Sequence, residues 1–426
     1  MKERIAIVDG VRTPFCKANG ALKDIQADDL GAYAVRELLA RTGFPPEKVD
    51  ELIFGNVLQP SNATNIARIV GIKGGLPVSV PAFTVNRNCA SGMEAIVTAA
   101  NKIRLGDAQV IVAGGTESMS NFQIIFPKAM NEFLLRLSKA RDWKQKLQAL
   151  ASFRLSFFKP ILPEISDPLC GLNMGQTAEV LSREFKVTRE EQDQFALMSQ
   201  QRAIKAMETG LFSDEIIPVP IPPRYQIFQT QDEGPRANQS LDALAKLKPA
   251  FDKLTGTVTA GNSSQVTDGA AAVLMMSESK AKELGYTPLG YVKNYASAGL
   301  EPSRMGLGPA YATAKLLAKT GMHLSDFDLI EINEAFAGQV VAVVKALASA
   351  DFARKVLNWD KPIGQIDRNR LNVNGGAVAL GHPLGASGTR LILTLLKELK
   401  RRNKQTGLAT LCIGGGQGEA VVVEVQ

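Results

Sequence analysis

Leu38-Leu39-Ala40-Arg41-Thr42-Gly43 returns almost letter for letter as Leu316-Leu317-Ala318-Lys319-Thr320-Gly321. In each copy a helix-forming run stops at a glycine, the residue that most readily takes the left-handed conformation of a helix C-cap. Each copy then crosses a loop of similar length into an apolar, strand-like segment. These segments are Leu52-Ile53-Phe54-Gly55-Asn56 and Leu329-Ile330-Glu331-Ile332-Asn333. Further on, Ala90-Ser91-Gly92-Met93-Glu94-Ala95-Ile96 is echoed by Ala386-Ser387-Gly388-Thr389-Arg390-Leu391-Ile392. Val110-Ile111-Val112-Ala113-Gly114-Gly115 is echoed by Thr410-Leu411-Cys412-Ile413-Gly414-Gly415. Four matches in one order point to a duplicated unit. Strand-like and helix-like stretches alternate through both copies, which is the pattern of an α/β fold. Two such halves packed as a pseudo-dimer are expected, the first from 1–121 with 251–279 and the second from 280–426.

Residues 122–250 have no echo and read as an inserted loop domain. They are richer in helix formers, charge and proline. A helix is expected to start at Met174-Gly175-Gln176-Thr177, and a longer one to run from Thr188 to Gly210. Residues 217–250, with prolines at 218, 220, 222, 223, 235 and 249, read as loops, and a strand from Ala270 to Met276 re-enters a sheet.

The chain has 426 residues, 45% hydrophobic and 21% charged, as in an ordinary globular protein of two or three domains. Its four cysteines, Cys16, Cys89, Cys170 and Cys412, are too few for a disulfide framework and fit a reducing compartment. The N-terminus runs straight into a strand without the apolar core of a signal peptide, and no apolar run approaches the ~20 residues of a membrane span. A cytoplasmic location, peripheral to a membrane at most, is the expectation. Net charge is +7, and much of it sits in one place. Phe126–Pro160 carries eight Lys or Arg against only Glu132 and Asp142. So local an excess argues against a nucleic-acid binder. Two histidines, His323 and His382, exclude a multi-histidine metal site.

Four motifs carry chemistry. Pro81-Ala82-Phe83-Thr84-Val85 reads as a strand and Ala90 to about Leu105 as a helix, so Cys89 lies at the mouth of a helix N-terminus. Free N–H groups and the helix dipole there favour a thiolate, and a thiolate is a strong nucleophile. The bland alternative is a small core cysteine at a strand–helix junction. Gly381-His382-Pro383 holds the corresponding place before the second copy's helix, with Pro383 suited to the first helical turn. Paired helix N-termini would bring Cys89 and His382 towards one centre, although a loop histidine satisfied by backbone fits the letters too. Cys412-Ile413-Gly414-Gly415-Gly416 offers backbone amides that can approach a ligand closely. It is not a dinucleotide fingerprint, because Glu419 stands where a glycine would fall and a strand follows. Asn333, in Asn333-Glu334-Ala335-Phe336, sits at a strand end, where it can orient a water or cap a helix.

Together these motifs closely resemble the thiolase family, as do Val11-Arg12-Thr13-Pro14-Phe15 and Gly256-Thr257-Val258-Thr259-Ala260-Gly261-Asn262-Ser263-Ser264. The resemblance covers essentially the whole chain. It implies a five-layered α-β-α-β-α fold of two similar halves, plus a loop domain that binds coenzyme A. The implied activity is acyl transfer between a 3-ketoacyl-CoA and CoA in fatty-acid β-oxidation. CoA would be a co-substrate, with no bound cofactor and no metal. By the same resemblance Cys89 is the nucleophile, His382 activates it, and Cys412 is the acid/base at the acetyl-CoA carbon. Asn333 and His382 would form one oxyanion hole, the amides of Cys89 and Gly414 the other, and Ser264 would lie near the pantetheine. An acetoacetyl-CoA thiolase working in the condensing direction and a silent CoA or lipid carrier or assembly subunit are the alternatives. Thiolases generally form dimers or tetramers.

Asn173 stands where short-chain biosynthetic thiolases commonly carry histidine. Residues 126–163 look like an added basic stretch, with Leu150, Phe153 and Phe157 at helical spacing. The stretch is similar to the helical extension of thiolase subunits in trifunctional complexes. It would suit a hydratase/dehydrogenase partner subunit, a membrane surface, or a lid over the CoA phosphates.

Overall fold

The computed structural model describes residues 3–159 and 166–426, and these form two units, one of residues 3–121 with 167–426 and one of the described part of 122–166. In the larger unit, ten strands form one continuous sheet. Its order is Leu329–Ile332, Thr406–Ile413, Gln417–Glu424, Gly290–Gly299, Ile5–Arg12, Thr267–Ser277, Val110–Glu117, Glu51–Gly55 and Ala82–Val85; the short Cys16–Lys17 pairs beside Thr267–Ser277. The two halves meet at a three-residue antiparallel seam in which Ile5, Ala6 and Ile7 pair with Val292, Tyr291 and Gly290. Each half repeats one plan, with parallel strands at its outer side and antiparallel strands towards the seam. The copies are not equal: the partner expected beyond Leu329–Ile332 shrinks to the single bridge Ile330–Leu371.

The five layers follow from period-two alternation, since successive side chains of a strand face opposite sides. Ala6, Val8, Val110 and Val112 point into one core, with Leu30, Val35 and Leu38 of helix Ala27–Thr42. Their neighbours Ile5, Ile7, Ile111 and Ala113 point into a second core. That core holds helices Ser91–Leu105 and Leu384–Arg401, through Met93, Ile96, Leu391 and Leu395. The second half of the sheet splits the same way. Ala409, Leu411, Val421 and Val423 join the middle core, whereas Leu408, Ala420 and Val422 join a third, under helices Gly308–Thr320 and Ala337–Ala348. Sandwiched between the two halves of the sheet, helix Leu384–Arg401 is buried from Leu384 through Leu399. Its Arg390 reaches Glu331 at 3.2 Å.

The repeated glycines behave as their spacing implies: Gly43 and Gly321 close their helices at φ 63° and 70°. Arg12, wholly buried, donates to Asp232 with both terminal nitrogens and to Glu215 with Nε. These charges tie the inserted segment to the first strand. Helix Met174–Glu184 starts at Asn173 and helix Arg189–Glu208 at Thr188, each through a reciprocal capping box. The proline-rich 217–250 is not all loop; it contains the short strands Val219–Pro220 and Phe228–Gln229 and the helix Leu241–Ala245.

Three expectations need correction. Pairing equates Gly115 (beside Gly55) with Thr410 (beside Ile332), so the echo of 110–115 in 410–415 is out of structural register. Pro383 is the N-cap of its helix and not its first residue, because the chain is still extended there. Leu150, Phe153 and Phe157 do not share a helix. Helix Trp143–Ala151 ends at Ser152, a 3-10 turn Leu155–Phe158 follows, and Phe153 and Phe157 gather on Phe133 of helix Lys128–Lys139. Residues 160–163 of the basic stretch lie outside the described residues. No described helix is long and apolar enough to cross a membrane, and no described group of His, Cys, Asp or Glu could hold a metal ion.

Candidate active site

The two central helices touch at their N-terminal turns through glycine. A Cβ on Gly388 would lie 2.4 Å from the Met93 backbone nitrogen, and one on Gly92 would lie 2.5 Å from the Gly385 carbonyl oxygen. Only hydrogen fits at such distances, so this contact sets how closely the helices approach. Cys89 precedes one helix by two residues and His382 precedes the other by two. Both therefore lie at the same end of the helix pair.

The loop before Cys89 is held from several sides. Asn88 takes a left-handed conformation at φ 46°, and its amide Nδ2 donates to the Gly414 carbonyl at 2.8 Å. Ser91 Oγ accepts from the Arg87 N–H at 2.9 Å and donates to the Asn88 carbonyl at 2.7 Å. Cys89 is half-buried, and the Gly414 N–H approaches its thiol. Burial pushes this thiol above the ordinary range, and the Gly414 N–H only partly offsets that. The helix terminus therefore does not give a resting thiolate. Cys89 stands ahead of the first helical turn, and the loss of water there disfavours the charged form.

Cys412, near the end of its strand, is buried next to Cys89. Burial first, and the neighbouring Cys89 second, push its thiol well above the usual range. It is a neutral S–H, packed with Met305, Ala335, Phe336 and Met174. Gly414 is held in place by Asn88 from one side, while the next N–H, of Gly415, donates to Asp167 at 2.8 Å.

His382 is buried, and burial followed by the Arg390 charge lowers its pKa to about 3, so it is neutral. Its backbone N–H is shared between Thr267 Oγ1 at 3.1 Å and the Gln265 carbonyl at 3.3 Å. Ser387 Oγ donates to the Pro383 carbonyl at 2.8 Å and lies 2.5 Å from His382 Nδ1. With its one proton committed, Ser387 can only accept from Nδ1–H. This fixes the tautomer and leaves a lone pair on Nε2. Nε2 lies 3.3 Å from Asn333 Nδ2.

Asn333 is wholly buried at the end of its strand, with its N–H donating to the Thr410 carbonyl. It does not cap a helix, since the helix that follows begins at Ala337 with Phe336 at its N-cap. Its Oδ1 is buried and meets no donor among the described residues. A buried acceptor in that state accommodates a water or a substrate donor. Ser264 lies on the segment zipped to this strand end, where its N–H donates to the Ala335 carbonyl at 3.0 Å.

The structure thus groups Cys89, Cys412 and Gly414, and pairs Asn333 with His382. It joins the two sets through the Thr410–Asn333 hydrogen bond and the helix contact. Asn88 and Ser387 escaped the sequence reading. A signal existed for Ser387, because Ser91 and Ser387 occupy matching places in the repeated Ala-Ser-Gly and each binds the loop before its helix. His323 is exposed at the start of the 3-10 turn Leu324–Asp326.

Residues 5–279 match the thiolase N-terminal domain family and residues 286–425 the thiolase C-terminal domain family. A 3-ketoacyl-CoA thiolase of Serratia proteamaculans is 45% identical over the whole chain and 97% of that protein. Among solved structures, the acetyl-CoA acetyltransferase of Bacillus anthracis superposes with a TM-score of 0.85 at 39% identity, covering 100% of this chain and 99% of that one. Human mitochondrial 3-ketoacyl-CoA thiolase in complex with CoA superposes with a TM-score of 0.84, also at 39% identity, covering 100% and 98%.

Proposed function

The chain belongs to the thiolase family, and from that premise we infer that it is an acyltransferase that cleaves 3-ketoacyl-CoA by thiolysis, with Cys89 as its nucleophile. The observation that carries the residue assignment is the meeting of two thiols with unequal surroundings. Cys89 is half-buried beside an N–H donor, whereas Cys412 is wholly buried and firmly protonated. Two thiols held apart in this way suit two roles, one nucleophilic and one as proton donor.

The first step joins Cys89 Sγ to the 3-keto carbon while the thiol proton passes to His382 Nε2, the nitrogen that Ser387 keeps unprotonated. Because the Cys89 thiol is not ionised at rest, attack and proton loss go together. The negative charge on the keto oxygen is met by the Cys89 and Gly414 N–H groups. The bond between the second and third carbons then breaks, and the departing acetyl-CoA carbon takes the proton of Cys412. Asn333, through a water on its free Oδ1, serves the enolate oxygen together with His382, which lies beside its Nδ2. Each such donor contributes roughly 3–4 kcal/mol to lowering the barrier. In the second half, CoA gives its thiol proton to Cys412 and attacks the acyl-Cys89 carbonyl. Cys89 leaves and recovers its proton from His382, releasing an acyl-CoA two carbons shorter. Condensation of two acetyl-CoA molecules runs the same steps backwards. Ser264 is assigned to the pantetheine side, which its attachment beside Ala335 supports.

Mass spectrometry of the protein after brief exposure to acetyl-CoA, with peptide mapping, tests the assignment. An acetyl group on Cys89 is expected, and turnover by Cys89→Ala would sink it. A series of 3-ketoacyl-CoA substrates of increasing chain length then sets the substrate range.

We further assign 126–163 to an acidic membrane surface in preference to a partner subunit. Trp143, Leu147, Leu155 and Phe158 are exposed there among lysines and arginines, a composition suited to a lipid interface. Co-sedimentation with phosphatidylglycerol vesicles, lost in Lys144→Glu/Lys146→Glu, is the expected result. Ala82–Val85 is an edge strand of the sheet, and covering such an edge favours a dimer or tetramer.

A further inference from the structure

Glu419 is a carboxylic acid in the middle of a sheet. Its strand partners are Leu411 on one side and Ser297 on the other, and it is wholly buried. Oε1 accepts from Ser297 Oγ at 3.3 Å. Oε2 is buried and meets no N–H or O–H among the described residues. The group facing it is a second carboxylate, Glu94 of helix Ser91–Leu105, and burial together with Glu94 raises the Glu419 pKa well above the ordinary range. Two carboxylates in contact keep one proton between them. Glu94 is committed elsewhere as well: its Oε2 lies 2.7 Å from Arg87 Nε, and its Oε1 accepts from Thr98 Oγ1 at 3.3 Å. The charged groups around Glu419 are thus Glu94 from the helix and Arg87 from the loop; the adjacent strands present Leu411 and Ser297, which do not titrate.

Arg87 links this pair to the nucleophile, because it stands two residues before Cys89. Its side chain is held by Glu94 and its N–H by Ser91 Oγ. The next residue, Asn88, grips the Gly414 carbonyl, and the Gly414 N–H reaches the Cys89 thiol. We propose that Glu419, as the protonated partner, donates to Glu94 and, through the Glu94–Arg87 ion pair, fixes the loop that aims Cys89. Glu419 and Glu94 are then positioning residues for the nucleophile, and the inference rests on Cys89 having that role.

The proposal separates two variants of nearly equal size. Glu419→Gln keeps an N–H donor towards Glu94 and cannot ionise, whereas Glu419→Leu removes the donor and leaves Glu94 less well held. In wild type, rising pH strips the shared proton, sets two anions face to face and loosens the loop, so kcat declines on the alkaline side. Glu419→Gln is expected to keep kcat within about twofold at neutral pH and to lose that decline. Glu419→Leu is expected to lose about tenfold in kcat with KM little changed, as removal of one buried donor predicts. Should the leucine variant not fold, Glu94→Gln, at the partly exposed end of the pair, is expected to show the same loss in kcat. Equal losses in Glu419→Gln and the variant lacking the donor overturn the proposal, as does an alkaline limb in Glu419→Gln that matches wild type. Acetyl-enzyme mapping on the same preparations keeps the two readings apart. A label absent from Cys89 in active wild type defeats the nucleophile assignment, while a label on Cys89 with unchanged profiles defeats only the role of Glu419.

Discussion

At the scale of single residues, protonation states organise the site. His382 is neutral because burial and Arg390 disfavour its cation, and its folded pKa of about 3 lies below the ordinary value of 6.5. The unfolded chain therefore binds a proton that the folded one refuses once the pH drops below about 6.5. Its contribution to stability is complete above that pH and is lost as pH falls towards about 3, by up to ~1.4 kcal/mol per pH unit. His382→Asn should flatten this acid limb in urea titrations between pH 6.5 and 4; an unchanged slope would place the imidazole in water. Cys89 makes a second prediction. Its thiol lies above the ordinary range, so iodoacetamide alkylation of the free enzyme should be slower at pH 7 than for an unperturbed cysteine, and should still be rising past pH 9. A plateau near neutrality would mean a resting thiolate. The third concerns Asn333, whose Nδ2 reaches His382 while its Oδ1 stays unpartnered. Asn333→Ala should lower kcat by about 10²–10³ while KM for CoA changes little. An equal change in both constants would make it a binding residue.

At the scale of elements, the contact between helices Ser91–Leu105 and Leu384–Arg401 does what no single side chain can. Gly388→Ala would push a methyl group into the Met93 backbone, which cannot swing aside as a side chain tip can. We expect a loss of about 1–3 kcal/mol in stability from overpacking, together with lower kcat, because Cys89 and His382 ride on the two helices. Gly71→Ala is the control: its Cβ would meet only the Leu76 and Leu52 side chains, at 3.4 and 3.9 Å, within a helix, where alanine is the better helix former. A thermal melt with Gly388→Ala at or above the control would show that the helices have slack. Much at this scale was readable in the letters. Helix ends announce themselves through local chemistry, as at Gly43, Gly321, Asn173 and Thr188, because caps satisfy backbone groups of their own turn. The run Leu150, Phe153, Phe157 was misleading, because helical spacing also arises when a broken segment folds its rings onto one partner, here Phe133.

At the scale of the whole molecule, the duplication was legible and its register was not. Letter matching equates Gly115 with Gly415, but strand pairing, Gly115 beside Gly55 and Thr410 beside Ile332, makes Thr410 its equivalent. Strand glycines repeat for packing reasons on both sides of the true register, and only the neighbouring strand decides. The correct register has a chemical consequence: stepping on from Gly115 and Thr410, Glu117 stands in the first half where Cys412 stands in the second. The sequence reading passed over Glu117, since a lone glutamate after a strand looks like a solvated end. It is wholly buried, and burial raises its pKa to about 7 against the pull of its backbone donors. Oε2 accepts from the N–H groups of Val57 and Gly385, and Oε1 from Leu58 N–H and Asn56 Nδ2. One carboxylate thus pins a first-half loop to the first turn of the second-half helix, three residues beyond His382. Where one half has the free thiol of Cys412, the other uses the equivalent place as a clasp. Glu117→Gln keeps the size but turns an NH2 group towards two N–H donors, leaving buried groups unpaired at about 1–3 kcal/mol each. The expected result is a clearly lower melting temperature and reduced kcat with KM for CoA nearly unchanged, since the clasp fixes the helix that carries His382. A melting temperature within experimental error of wild type would mean that the halves are held by their apolar middle layer alone.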